Sequence, residues 1–177
     1  MLLKLPAEFW SSSANKMSQM NERALRDLIE TIAKEVSAAR SLNLDSARAL
    51  SAQIRKKAAE MGVKAVVAIA DRGGHPILVE SMDNAYIASY DIAVNKAFTV
   101  VSLKMPTSEL KPLAQPGGSL YGIQFTNQGK IVVFGGGEPL KNSAGEIIGG
   151  LGVSGGSEDQ DTALAAYGKQ LFEKGSY

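Results

Sequence analysis

The sequence predicts an α+β fold, an antiparallel sheet with helices packed on it, preceded by a separate amphipathic helix. Three observations lead there. Apolar residues recur at spacings of three and four across residues 21–36, 43–61 and 157–171, the period of helices with one buried face. Two short apolar runs flank Asp71-Arg72-Gly73-Gly74, the chemistry of a tight hairpin turn. Thirteen of the eighteen glycines fall between Gly117 and Gly156, a window with only four charged side chains. Such a stretch is expected to be largely buried or to make close backbone contacts.

Composition narrows the function classes. A chain of 177 residues suits one domain with a short extension. Hydrophobic residues at 45% and charged residues at 21% exclude a wholly disordered or fibrous chain. A formal charge of +1 is too small for the phosphate-neutralising surface of a nucleic-acid binder. Without cysteine there are no disulfides, thiolate metal sites or cysteine nucleophiles. The single histidine, His75, leaves no material for a zinc site built on several imidazoles within one chain. No apolar run approaches about 18 residues, so no membrane partner is expected, and the expected location is cytoplasmic.

Residues 1–20 read as a mobile leader. Residues 21–41 form an amphipathic helix and linker, with Leu25, Leu28, Ile29, Ile32 and Val36 on one face and Arg23, Arg26, Asp27, Glu30 and Lys34 largely on the other. Asn43-Leu44-Asp45 or Ser46 is the expected N-cap of a second helix that runs toward Met61 and that Gly62 stops. Residues 65–70 make a central strand, and residues 75–81 return antiparallel with Ile77 and Val79 on one face. Residues 85–105 suit a long helix rich in small residues, ended by Pro106, and a short helical turn follows. Ile131 to Phe134 and Ile147 to Val153 are two further strands. Ser157 with Gln160 gives the capping-box pattern of a last helix with apolar positions Ala163, Leu164, Tyr167 and Leu171.

Several motifs now stand in one order: Leu42-Asn43-Leu44-Asp45, Ala68-Ile69-Ala70-Asp71 with Gly74, Ser81-Met82-Asp83, and Asp91-Ile92-Ala93 with Lys96-Ala97-Phe98-Thr99. Met105-Pro106-Thr107, Gly136-Gly137-Glu138-Pro139-Leu140 and Gly150-Leu151-Gly152-Val153-Ser154-Gly155-Gly156 with Asp161 follow. In these the chain, from about Leu42 to Phe172, resembles the GlcG/HbpS family, which includes haem-binding HbpS and the C-terminal domain of PduO. The resemblance implies a profilin-like sheet of about five strands over residues 42–177, homo-oligomers, haem or another tetrapyrrole as ligand in some members, and no agreed enzymatic activity. Haem-binding members carry a histidine early in the domain, and none lies here between Leu42 and Gly62. The first helix is similar to the encapsulation peptides of bacterial microcompartments, which implies a shell-protein partner and a place inside such a compartment.

The family-matching residues that core packing does not explain are the candidate ligand site: Met82, Asp83, Lys96, Met105, Pro106, Thr107, Gly135, Gly136, Gly137, Ser154, Gly155 and Gly156. The expected occupant is a tetrapyrrole or a small polar molecule. Asp83 either caps the helix at Tyr86 or orients a ligand. Lys96, on a face of small and apolar residues, needs a partner, for which Asp91 and Glu138 are candidates, or faces a ligand. The glycine runs serve packing or form an anion-binding nest of N–H groups. His75 is either a half-exposed, inert hairpin residue next to Pro76 or an axial haem ligand. An accessory role in a microcompartment and a small-molecule enzyme using Lys96 or Asp83 as acid or base are the alternative functions.

Overall fold

A computed structural model describes residues 21–31 and 42–177. The leader, Ile32, Val36 and the linker expected at residues 37–41 lie outside the described residues. The chain divides into two units, Met1–Arg40 and Ser41–Tyr177. In the first, residues 21–31 are helical (α1), and Leu25, Leu28 and Ile29 are each more than half exposed.

The second unit runs α2 (Leu44–Glu60), β1 (Val66–Asp71), β2 (Pro76–Ser81), α3 (Ile87–Leu103), α4 (Thr107–Leu113), two short 3-10 turns, β3 (Gly137–Lys141), β4 (Ile147–Ser154) and α5 (Glu158–Lys174). Among the described residues the sheet has four strands, antiparallel in the order β2-β1-β4-β3, where about five were expected. Of the four segments read as strands, Ile131 to Phe134 pairs with no strand, and Gly137–Lys141 stands in the sheet in its place. The apolar, β-branched character of the former reflects packing instead: Ile131 is buried, and the Val132 N–H donates to Thr99 Oγ1 on α3. The third strand begins later, at Gly137.

Alternation along the central strands sorts the core into two layers. Val67, Ile69, Leu151 and Val153 pack with Leu50 and Ile54 of α2 and Leu164 and Phe172 of α5. Val66, Ala68 and Ala70 face Ala93 and Ala97 of α3. Helices therefore cover both faces of the sheet. The closest approach is between α3 and β4, where a Cβ on Gly150 would run into the Ala97 carbonyl and one on Gly152 into that of Ala93. One step further along, Ser154 Oγ donates to Ser89 Oγ at 3.1 Å. Every second residue of β4 thus meets every fourth residue of α3.

The ends of the elements follow local chemistry. Asn43 and Ser46 close a capping box on α2, and Ser157 and Gln160 close one on α5. Asp71 Oδ1 accepts from the N–H groups of Gly73 and His75 and fixes the hairpin turn. A bulge between Ile69 and Ala70 shifts the register beside it, so Ile77 packs on the α2/α5 side while Val79 packs on the α3 side, not on one shared face as expected. In α5 the buried stripe includes Leu164 and Phe172, but Ala163 points to solvent. No helix among the described residues is long and apolar enough to cross a membrane.

Candidate functional site

Lys96 lies on the inner stripe of α3 with Ala93, Ala97 and Val100, and its side chain is 0% exposed. A cation there must be paired. Its Nζ donates to Asp161 Oδ2 at 2.9 Å and to the Val153 carbonyl at 2.8 Å, and lies 4.8 Å from the centroid of the Phe134 ring. The partner is thus neither Asp91 nor Glu138: Asp91 is exposed, and Glu138 pairs with Lys169 of α5 at 3.2 Å. Burial holds the Lys96 ammonium below the ordinary lysine range, partly offset by the Asp161 charge. Asp161 Oδ1 in turn accepts from the Gly156 N–H at 2.9 Å.

The glycine loop before β3 is fastened around this pair. Gly135 N–H donates to Glu158 Oε1 and Gly137 N–H to Thr107 Oγ1, both at 2.9 Å, and the Gly136 carbonyl accepts from Val153 N–H. Lys111 Nζ closes on Glu158 Oε2 at 2.6 Å. The Gly135 bond, then Lys111, holds the Glu158 carboxyl below its usual range. Gly136 has φ +108°, and a Cβ there would lie 2.6 Å from Lys96 Nζ. The N–H groups of Gly135, Gly137 and Gly156 all donate to protein oxygens, those of Glu158, Thr107 and Asp161, so these three are not open to an anion.

Beside the pair lies a cavity of about 320 Å³ lined by Ser89, Ile92, Phe134, Ser154, Glu158 and Asp161, with Tyr86, Gly155 and Gly156 at its edge. The fold therefore gathers Lys96, Thr107, Gly135, Gly136, Gly137, Ser154, Gly155 and Gly156 into one region. It does not bring Met82 and Asp83 there. They line a separate recess with Arg55, Lys64 and Ser81, and Met82 Sδ accepts from Ala65 N–H at 3.4 Å. Asp83 does not cap α3: the cap residue Tyr86 receives no side-chain hydrogen bond, because residues 83 and 84 form a turn with Asn84 at φ +64°. Met105 and Pro106 link α3 to α4, with Pro106 as the cap residue of α4, and neither lines the cavity.

His75 stands at the turn of the β1–β2 hairpin with its side chain 83% exposed, not half-exposed. It edges a recess of about 220 Å³ formed with Pro76, Val94, Asn95, Phe98 and Lys130. Its Nδ1 is 3.5 Å from Asp71 Oδ1, and its Nε2 has no partner among the described residues. The N–H of His75 is the main cause holding the Asp71 carboxyl below its usual range.

Asp161, Glu158, Ser89 and Phe134 were missed as site residues from sequence. A lysine at the period of a buried stripe demanded an anion somewhere, and Asp161, in the first turn of α5 behind its capping box, offered one.

Comparison with known proteins agrees with this architecture. Residues 42–170 match the family model described as haem degrading protein HbpS-like. An uncharacterized 15.0 kDa protein of the dhaT-dhaS intergenic region of Citrobacter freundii is 41% identical over 76% of this chain and 94% of its own length. The crystal structure of the Klebsiella pneumoniae protein ORFY is 44% identical over 74% of this chain and 90% of that one, with a TM-score of 0.72. The crystal structure of a PduOC:heme complex is 38% identical over 73% of this chain and 94% of that one, with a TM-score of 0.70. The chain belongs to the HbpS-like family, the GlcG/HbpS group that its motifs indicated.

Proposed function

We propose that this protein binds haem or a related tetrapyrrole, that His75 supplies the iron ligand, and that it works as a homo-oligomer. The observation carrying the reading is the His75 recess. An imidazole with Nδ1 beside a carboxylate and Nε2 unengaged is the arrangement that orients a metal-binding histidine. Pro76, Val94 and Phe98 supply apolar surface for a porphyrin face, and Lys130, with Nζ 5.7 Å from the Phe98 ring centroid, supplies a cation for a propionate. These donors fit the group. Haem would bring an iron centre open to small ligands and to electron exchange. The resemblance to a solved haem complex supports the same reading.

Self-association is supported by α3, whose first turns expose Tyr86, Ile87 and Tyr90, with Ile87 97% exposed, and by exposed Tyr121 and Phe125. An enzymatic reading through Lys96 or Asp83 has less support, since Lys96 is fully buried in an ion pair and Asp83 lines a different recess.

Hemin titration followed in the visible spectrum tests the main reading. The expected result is a saturable Soret shift in the native protein, with affinity reduced at least about tenfold in His75→Ala, equivalent to about 1.4 kcal/mol. An undiminished shift in the variant would remove His75 from the site, and no saturable shift would remove haem.

A second reading has its own observation. Leu25, Leu28 and Ile29 form an exposed apolar stripe on a helix otherwise carrying Arg23, Arg26, Asp27 and Glu30. We propose that this stripe recruits the protein to a microcompartment shell from the cytoplasm. Fusing residues 20–41 to a fluorescent reporter should give punctate fluorescence in cells making compartments; diffuse fluorescence there would end the idea.

A further inference from the structure

The cavity at the α3–α5 junction has a floor with an unspent proton. Ser89 and Ser154 are each 4% exposed, and one hydrogen bond joins them. Two hydroxyls carry two protons, so one is left without an acceptor among the described residues. Other hydroxyls of α3 are used differently: Thr99 and Ser102 donate to the carbonyls of Asn95 and Phe98, four residues back. A buried donor left unmade costs about 1–3 kcal/mol, which a hydrogen-bonding occupant would recover.

Next to the hydroxyl pair, Asp161 is 3% exposed and lines the same cavity. Each of its oxygens accepts one hydrogen bond, Oδ1 from Gly156 N–H and Oδ2 from Lys96 Nζ, so further lone pairs are free to accept. The floor thus offers a donor and an acceptor together. Its charges are already balanced, Lys96 against Asp161 and Lys111 against Glu158. An anionic ligand would bring like charge beside two carboxylates, and a cation would meet carboxylates already neutralised. Ala88, Ile92 and Phe134 give the remaining wall an apolar character.

We infer that this cavity is a second ligand site, separate from the His75 recess, for a small neutral hydroxylated molecule with a compact apolar portion. A single hydroxyl accepts one proton and donates another, which matches the floor; the apolar portion matches the wall. The inference is independent of haem binding, since no residue of the His75 recess lines the cavity.

Three probes that share a ring and differ in the group offered to the floor test it on the full chain: benzyl alcohol, toluene and benzoate. In amide NMR of the labelled protein, benzyl alcohol should produce saturable shifts at Ser89, Ser154, Gly155 and Gly156, with toluene and benzoate at least about tenfold weaker, the equivalent of one hydrogen bond. Ser89→Ala and Ser154→Ala should each weaken benzyl alcohol by about the same factor while remote amides stay in place. Equal affinity for toluene, or unchanged affinity in folded serine variants, would overturn the hydroxyl assignment. No saturable shift with any probe would mean that the cavity holds water only and would overturn the site. Since the three probes compare one unmodified protein, the test does not depend on either variant folding.

Discussion

Glycine serves opposite needs in two parts of this chain. In β4, Gly150 and Gly152 are required because α3 lies against the strand backbone, where any side chain would meet a helix carbonyl. In residues 117–129, Gly117, Gly122 and Gly129 have open space around them and φ between +76° and +89°. There the need is torsional, because a left-handed backbone penalises residues with a Cβ. One compositional signal therefore hides two physical causes, clearance and torsion. Gly136 combines them, with φ +108° and the Lys96 ammonium close by.

Substitution should separate the causes. Gly152→Ala pushes a methyl group into the Ala93 carbonyl, where neither backbone can yield, and should cost about 4 kcal/mol or prevent folding. Gly122→Ala should cost about 1 kcal/mol. Urea midpoints measure both, and equal costs would break the distinction. Next in size is the ion pair that the Gly136 loop encloses. Lys96→Met leaves the Asp161 carboxylate buried and unpaired and should cost about 3 kcal/mol, whereas adding Asp161→Asn should restore part of that loss. If the double variant is no better than the single one, the lysine acts by filling space and not by charge.

The smallest effects concern pH at two carboxylates, Glu138 within β3 and Glu158 at the start of α5. Glu158 has its pKa lowered by the Gly135 N–H and Lys111, so it stabilises the fold fully above its ordinary value of 4.5 and loses this as pH falls from 4.5 through the lowered value. Glu138 has its pKa raised, chiefly by burial, so it costs stability as pH rises from 4.5 through the raised value. Over about pH 3 to 7, Glu158→Gln should lose less stability than the parent on acidification. Glu138→Gln should instead gain on the parent as pH rises. Parallel curves for the two variants would show that neither carboxylate is held as described.

What the sequence revealed follows from which signals are local. The Asp71–Gly74 turn, the Ser157 cap, the cap region from Asn43 to Ser46 and the apolar runs of β1 and β4 act within a few residues, and each was legible; which residue of that region is the cap, Asn43, came from the structure. β3 was not, since Gly-Glu-Pro-Leu-Lys has poor strand propensity and is a strand because β4 pairs with it. Ile131 to Phe134 was misread for the converse reason, as its apolar side chains pack without pairing. At the site, Lys96 was legible as an anomaly on a buried stripe. Its partner was not, because Asp161 lies 65 residues further along and reaches it through the fold. Met82 and Asp83 belong to the same motif set but leave the strand on the side of Arg55 and Lys64.

The packing of α3 on β4 behaves as a vernier. Four helical residues advance about 6.0 Å and two strand residues about 6.8 Å. From Ala97 facing Gly150, through Ala93 facing Gly152, to Ser89 facing Ser154, the two scales fall out of step by about 1.6 Å. Glycine at the first two positions lets backbones touch; at the third the contact has passed to the tips of two hydroxyls. The cavity opens where the scales have diverged. A mismatch of helical and extended rise thus sets how long the close contact can run, and beyond it the same two elements hold apart the walls of a chamber.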